Sequence, residues 1–172
     1  IPTKLKNKLR NRERLFAAWV SYSETSITET FSNADFDFIA IDMEHSTISI
    51  EQAQRIISVC QGNQTLCLPR PVSHSNEFIK PLLDSGADGL IFQMVNTPKE
   101  IEKLIKYNKY PPRGERSFGI NRAQNYGLSF NEYIENWNSQ SSLIIQVESA
   151  LAVENIEKLL QYEDVDGVMI GP

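Results

Sequence analysis

Residues 36–70 read FDFIAIDMEHSTISIEQAQRIISVCQGNQTLCLPR, and one full unit of the chain's plan lies inside them. Phe38–Met43 is a continuous apolar run, as expected of a strand covered on both faces. Ile50, Ala53, Ile56, Ile57 and Cys60 then recur at helical spacing and mark one apolar helix face. Thr65–Pro69 is a second apolar run. Strand, amphipathic helix and strand call for two parallel strands joined by a crossover. Both runs close on charged residues: Asp42, Glu44 and His45 after the first, Arg70 after the second.

The same beat extends in both directions. Leu15–Val20, Gly89–Val95, Leu143–Val147 and Gly167–Ile170 are further strand candidates. Ser75 and Thr97 stand as N-caps before SNEFIKPLLDSGA and TPKEIEKLIKYN, and a fourth amphipathic stretch follows Ser149. One interval is longer: Tyr107 to Gln140 carries KYPPRGERSFGINRAQNYG, a Pro/Gly/Arg-rich loop, and then a helix from about Phe130. No composition shift or linker interrupts the chain, so a single domain over residues 1–172 is expected. Six parallel strands suit a doubly wound sheet. They equally suit most of a (β/α)8 barrel, which typically needs about 250 residues. Periodicity alone leaves both open.

Composition narrows the function classes. Charged residues are 23% of the chain and hydrophobic residues 41%, an ordinary globular balance. The net charge of −5 is spread along the chain, which argues against nucleic acid as a partner. The basic stretch KLKNKLRNRER reads as a solvated helix rather than a binding arm. No apolar run approaches a membrane span and no signal-peptide core is visible, so no membrane role and a cytoplasmic location are expected. Cys60 and Cys67 read as buried reduced thiols, with a disulfide or a metal pair as the minor reading.

In a parallel barrel, chemistry sits at the C-terminal ends of the strands. The residues there are Trp19, the trio Asp42, Glu44 and His45, then Arg70, Gln146 and Glu148, and a closing Gly171-Pro172. Each has a plain structural reading. Asp42, Glu44 or Glu148 can cap a helix, His45 can be a satisfied structural histidine, Arg70 can pair with a carboxylate, and Trp19 can belong to the core. Strand after strand presenting ionisable groups at one end is harder to explain that way, because buried charge is costly unless paired or bound to something. Oxygen ligands such as Glu148 suit a hard cation, Mg²⁺ or Mn²⁺, that can polarise a carbonyl. The Arg70 fork suits a carboxylate or a developing enolate, and His45 suits proton transfer near neutral pH. Together they suit making or breaking a carbon–carbon bond beside a 2-oxo acid. No phosphate-binding loop, dinucleotide fingerprint or nucleophile elbow is present, and no strand-end lysine offers a Schiff base.

Six stretches in order, FDFIAIDMEHS, LPRP, IKPLLDSGADGLIFQMVNT, KYPPRGERSFGINRAQNYG, IIQVESALAVENIEKLL and VDGVMIGP, resemble the HpcH/HpaI family of metal-dependent pyruvate aldolases from about Leu15 onward. The resemblance implies a TIM barrel of the phosphoenolpyruvate/pyruvate superfamily, with about six of its eight strands in this chain. It implies cleavage of a 4-hydroxy-2-oxo acid to pyruvate and an aldehyde, assisted by a divalent cation: Mg²⁺ or Mn²⁺, with Co²⁺ a further candidate. It implies a homo-oligomer, hexamer or trimer, with swapped C-terminal helices. By motif, His45 matches the base, Arg70 the transition-state stabiliser, Asp84 a residue that raises the histidine's basicity, Gln146 a substrate contact and Glu148 a metal ligand. Trp19, Gly171 and Pro172 are expected to line the substrate site, with Asp42 and Glu44 in support. Asp84 lies at a helix end, so it either serves a neighbouring subunit or caps its helix. Gln93 stands where the family often has Pro, and Ser117 where it often has Gly, which leaves the substrate open. The family's second metal ligand follows Gly-Pro, so the chain is expected to be C-terminally incomplete and, as a 172-residue product, poorly soluble or inactive. A decarboxylase of the oxaloacetate type on the same barrel, or a non-catalytic binding protein, are the alternatives.

Overall fold

The computed structural model describes residues 3–171. The apolar runs form β1 (Ala17–Val20), β2 (Phe38–Asp42), β3 (Leu66–Arg70), β4 (Gly89–Phe92), β5 (Ser142–Val147) and β6 (Gly167–Ile170). Helices α1 (Thr3–Arg10), α2 (Thr25–Ser32), α3 (Ile50–Gly62), α4 (Asn76–Asp84), α5 (Pro98–Asn108), α6 (Phe130–Gln140), α7 (Ala150–Glu154) and α8 (Ile156–Leu159) alternate with them. Strands β1-β2-β3 pair in parallel in that order, and so do β4-β5-β6. The two sets meet at the feet of β3 and β4, where the Asp88 N–H donates to the Cys67 carbonyl and the Cys67 N–H to Asp88 Oδ2, both at 2.9 Å. A doubly wound sheet reverses its strand order at a switch point. Here the order runs without reversal, which is that of a TIM-like barrel.

Alternation along each strand sorts the side chains into two layers. Ile39, Ile41, Cys67, Leu90, Phe92, Leu143, Ile145 and Val147 face the helices and join Ile56, Ile57, Leu82, Leu104 and Leu159 in the main core. Ala40, Leu68, Ile91 and Ile144 face the other way, with Phe38, Leu66 and Met169 packed on them. This inner layer is closed at the strands' N-terminal ends by Leu5 and Leu9 of α1. Continued toward the C-terminal ends, the inner face carries Trp19, Asp42, Arg70, Gln93, Gln146 and Gly171.

Local chemistry explains the helix starts. Ser49 before α3 and Thr97 before α5 each form a reciprocal capping box with the residue three on, Gln52 and Glu100. Several boundaries differ from the sequence reading. The run Gly89–Val95 ends as a strand at Phe92, because Met94 takes a left-handed φ of 49° and turns the chain. The stretch after Ser149 breaks at Asn155 into two short helices. Helix α2 has no sequence-based prediction behind it. The basic N-terminal stretch is a helix, but not a fully solvated one: Leu5 and Lys6 are buried, and Lys6 Nζ donates to Ser141 O at 3.2 Å and Asp166 Oδ2 at 3.1 Å. No helix among the described residues is long and apolar enough to cross a membrane.

Candidate active site at the C-terminal ends of the strands

Arg70 is the hub. It is the last residue of β3, and the register sets it beside Asp42, the last residue of β2. Its Nη2 lies 2.9 Å and its Nε 3.3 Å from Asp42 Oδ1. Its Nη1 donates to Gln146 Oε1 at 2.9 Å, reaching from β3 to β5. Nη1 also lies 3.1 Å from Glu44 Oε2, an ion pair without hydrogen-bond alignment, so that oxygen is buried with no hydrogen-bond partner among the described residues. The Trp19 ring covers the guanidinium at 4.8 Å, a cation–π contact, and Trp19 Nε1 donates to Asp42 Oδ2 at 3.3 Å.

Asp42 organises the loop after β2. Its Oδ1 accepts from the N–H groups of Glu44 (3.1 Å) and His45 (3.0 Å), and its carbonyl accepts from the Ser46 hydroxyl. Burial disfavours its charge. The hydrogen bonds from His45, Arg70 and Trp19, together with the Arg70 charge, outweigh burial and hold its carboxyl below the ordinary value. The His45 side chain itself is 73% exposed at the mouth, with Nε2 3.7 Å from Glu44 Oε2.

The acidic side of the site is Glu148, which follows β5 directly, two residues beyond Gln146. Gln146 Nε2 donates to Glu148 Oε2 at 2.7 Å, and the Met94 N–H donates to Glu148 Oε1 at 2.8 Å. The left-handed turn at Met94 therefore has a visible consequence: it delivers a backbone donor to the carboxylate. A Cβ on Gly171 would overlap Gln146 Nε2 and stand 3.1 Å from Glu148 Oε2. Glycine thus lets the chain run close against the Gln146 amide and the carboxylate. An oxygen donor of this kind suits a hard cation, which needs only one or two carboxylates when water and substrate supply the remaining ligands. Among the described residues no three His, Cys, Asp or Glu side chains converge as a complete metal site.

The sequence-predicted residues thus divide. Trp19, Asp42, Glu44, Arg70, Gln146 and Glu148 form one connected network, with His45 at its rim and Gly171 against it. Pro172 lies outside the described residues. Asp84 does not join the network: it ends α4, where Ser85 is the C-cap, and its Oδ1 lies 3.2 Å from Arg116 Nη2. Arg116 is itself stacked on Tyr110, Tyr133 and Trp137. Two residues escaped the sequence reading. Met94 acts through its backbone, which composition does not reveal. His74 sits in a polar loop, and its Nε2 lies 2.6 Å from the Gln93 carbonyl, a partner that no spacing rule identifies.

Known proteins share this fold. A profile of the family described as HpcH/HpaI aldolase/citrate lyase matches residues 15–172. The 2-keto-3-deoxy-L-rhamnonate aldolase of Salmonella typhi is 31% identical over 169 residues, and that of Escherichia coli K12 is 32% identical. In both cases the match covers 97% of this chain and 63% of the relative, so the chain spans less than two thirds of their length. The crystal structure of an HpcH/HpaI aldolase/citrate lyase family protein from Burkholderia cenocepacia J2315 superposes with a TM-score of 0.93 at 28% identity, over 99% of this chain and 69% of that one. An HpcH/HpaI aldolase from Desulfitobacterium hafniense DCB-2 gives 0.87 at 25% identity, over 98% and 66%. A TIM-like barrel with this inner layer, matched by the family profile along nearly its whole length, makes this chain a member of the HpcH/HpaI aldolase/citrate lyase family.

Proposed function

We propose that the full-length protein is a metal-dependent aldolase that cleaves a 4-hydroxy-2-oxo acid into pyruvate and an aldehyde. The observation that carries this reading is the unbroken network from Asp42 through Arg70 and Gln146 to Glu148, set at the end of the barrel where such sites are built. Glu148 is the residue that would hold the cation, where the chain passes close by at Gly171. When bound, Mg²⁺ or Mn²⁺ supplies Lewis-acid polarisation of the 2-oxo group.

The chain's own residues do the rest. Gln146 and Asp42 fix the Arg70 fork, whose remaining N–H donors meet the anionic oxygen that develops as the C3–C4 bond breaks. The Trp19 ring shields the guanidinium from water, which strengthens that interaction. His45, held at the mouth by its backbone bond to Asp42, takes the 4-hydroxyl proton. The relatives' names support a 2-keto-3-deoxy sugar acid as the first substrate class to try. Exposed Phe118, Ile120, Tyr126 and Leu128 support self-association. The free, buried Cys60 and Cys67 suit the reducing cytoplasm.

The test is a pyruvate-detecting assay on the full-length protein with Mn²⁺, using 2-keto-3-deoxy sugar acids and oxaloacetate. Pyruvate from a sugar acid, lost in Glu148→Ala, is expected. Full activity of Glu148→Ala would refute the reading, and turnover of oxaloacetate alone would replace it with a decarboxylase.

A further inference from the structure

The mechanism above leaves Gln93 unused. Gln93 follows β4 directly, between Arg70 on β3 and Gln146 on β5. Alternation from Ile91 puts Gln93 on the inner face, just past the last paired step of β4 and β5, Phe92↔Ile145. Gln93 is 5% exposed, and its Oε1 is buried with no hydrogen-bond partner among the described residues. Its backbone is fixed from the other side. His74 Nε2 is 2.6 Å from the Gln93 carbonyl, so that nitrogen carries the proton, and the His74 ring stands edge-on to Phe92 with centroids 5.9 Å apart. A buried amide oxygen without a partner carries a desolvation penalty of roughly 1–3 kcal/mol. It stands here in the layer that holds the substrate groups, as an acceptor awaiting a donor.

We propose that Gln93 is a specificity-determining residue whose side-chain carbonyl accepts a hydrogen bond from a hydroxyl on the aldehyde-derived half of the substrate. This rests on the aldolase reading. The pyruvyl half offers only acceptors, a carboxylate and an oxo group, so it has nothing to donate to Gln93. The 4-hydroxyl must surrender its proton to a base, which an amide is not. The remaining donors are hydroxyls further along the substrate. A terminal carboxylate is disfavoured there by the carboxylates of Asp42, Glu44 and Glu148 that the site already carries. The selected partner is therefore a neutral hydroxylated aldehyde rather than an acid semialdehyde.

The experiment runs the full-length protein with Mn²⁺ in the condensation direction, offering pyruvate with glycolaldehyde, acetaldehyde or succinic semialdehyde. The wild type is expected to favour glycolaldehyde over acetaldehyde in kcat/KM by about tenfold or more, the size of one buried hydrogen bond. That ratio should fall about tenfold in Gln93→Leu and persist in Gln93→Glu, which keeps an acceptor in place. An unchanged ratio in Gln93→Leu, or succinic semialdehyde as the best acceptor, overturns the inference while leaving the aldolase reading intact. Should Gln93→Leu fail to fold, the wild type decides alone, because equal use of glycolaldehyde and acetaldehyde overturns the inference too. No condensation with any aldehyde overturns both readings.

Discussion

Asp42 shows how much one side chain can organise. Two backbone N–H groups, an indole and a guanidinium converge on one carboxylate whose charge burial disfavours. Because its folded value lies below the ordinary carboxylate value of about 4, its stabilisation is fully present above pH 4 and is lost as pH falls through the lowered value. Asp42→Asn is expected to lose about 2 kcal/mol at pH 6. The gap to wild type should shrink toward pH 2, as measured by urea unfolding at both pH values, and an equal gap at both would contradict this account. At this scale the sequence was most informative where a charged residue closed an apolar run, as at Arg70 and Glu148. It was silent where the backbone acts, as at Met94, because that leaves no compositional trace; at Gln93 it marked the departure from the family but not the unpaired side-chain oxygen. Asp84 marks the limit of motif matching: within this chain its neighbour is Arg116, not His45.

Elements carry the site only if their spacing holds. Gly89 opens β4 directly opposite Ser142 of β5, and a Cβ there would overlap the Ser142 backbone carbonyl. Neither partner can rotate aside, since both are main chain. Gly89→Ala is expected to destabilise the fold by about 3 kcal/mol or more, at the upper end of overpacking costs, with a lowered melting temperature as the readout. A melting temperature equal to wild type would show that the two strands can separate freely. The strands themselves were legible because both their faces are apolar, and α3 and α5 because their caps are spelled out as Ser49/Gln52 and Thr97/Glu100. Helix α2 was missed because TSITETFS buries only Thr28 and so shows little apolar periodicity. The break at Asn155 coincides with a side-chain hydrogen bond to the Asn96 carbonyl, a distant partner that sequence does not display.

The whole molecule separates a structural end from a chemical one. Helix α1 closes the N-terminal ends of the strands, with Lys6 and Arg10 on Asp166 and Lys8 on Asp37. The opposite end carries the Arg70 network. Sequence periodicity could not choose between a doubly wound sheet and a barrel, because both repeat strand and helix; the unreversed strand order, a property of the assembled sheet, decides it. The central claim is that the network stabilises a pyruvate enolate with a divalent cation. Its most direct measurement needs no aldehyde: exchange of the pyruvate methyl protons with deuterium, followed by NMR on the full-length protein in D2O. Exchange is expected with Mg²⁺ or Mn²⁺, stopped by EDTA and slowed about a hundredfold or more in Arg70→Met. Exchange at the wild-type rate in Arg70→Met, or none in the metal-loaded wild type, would contradict the account.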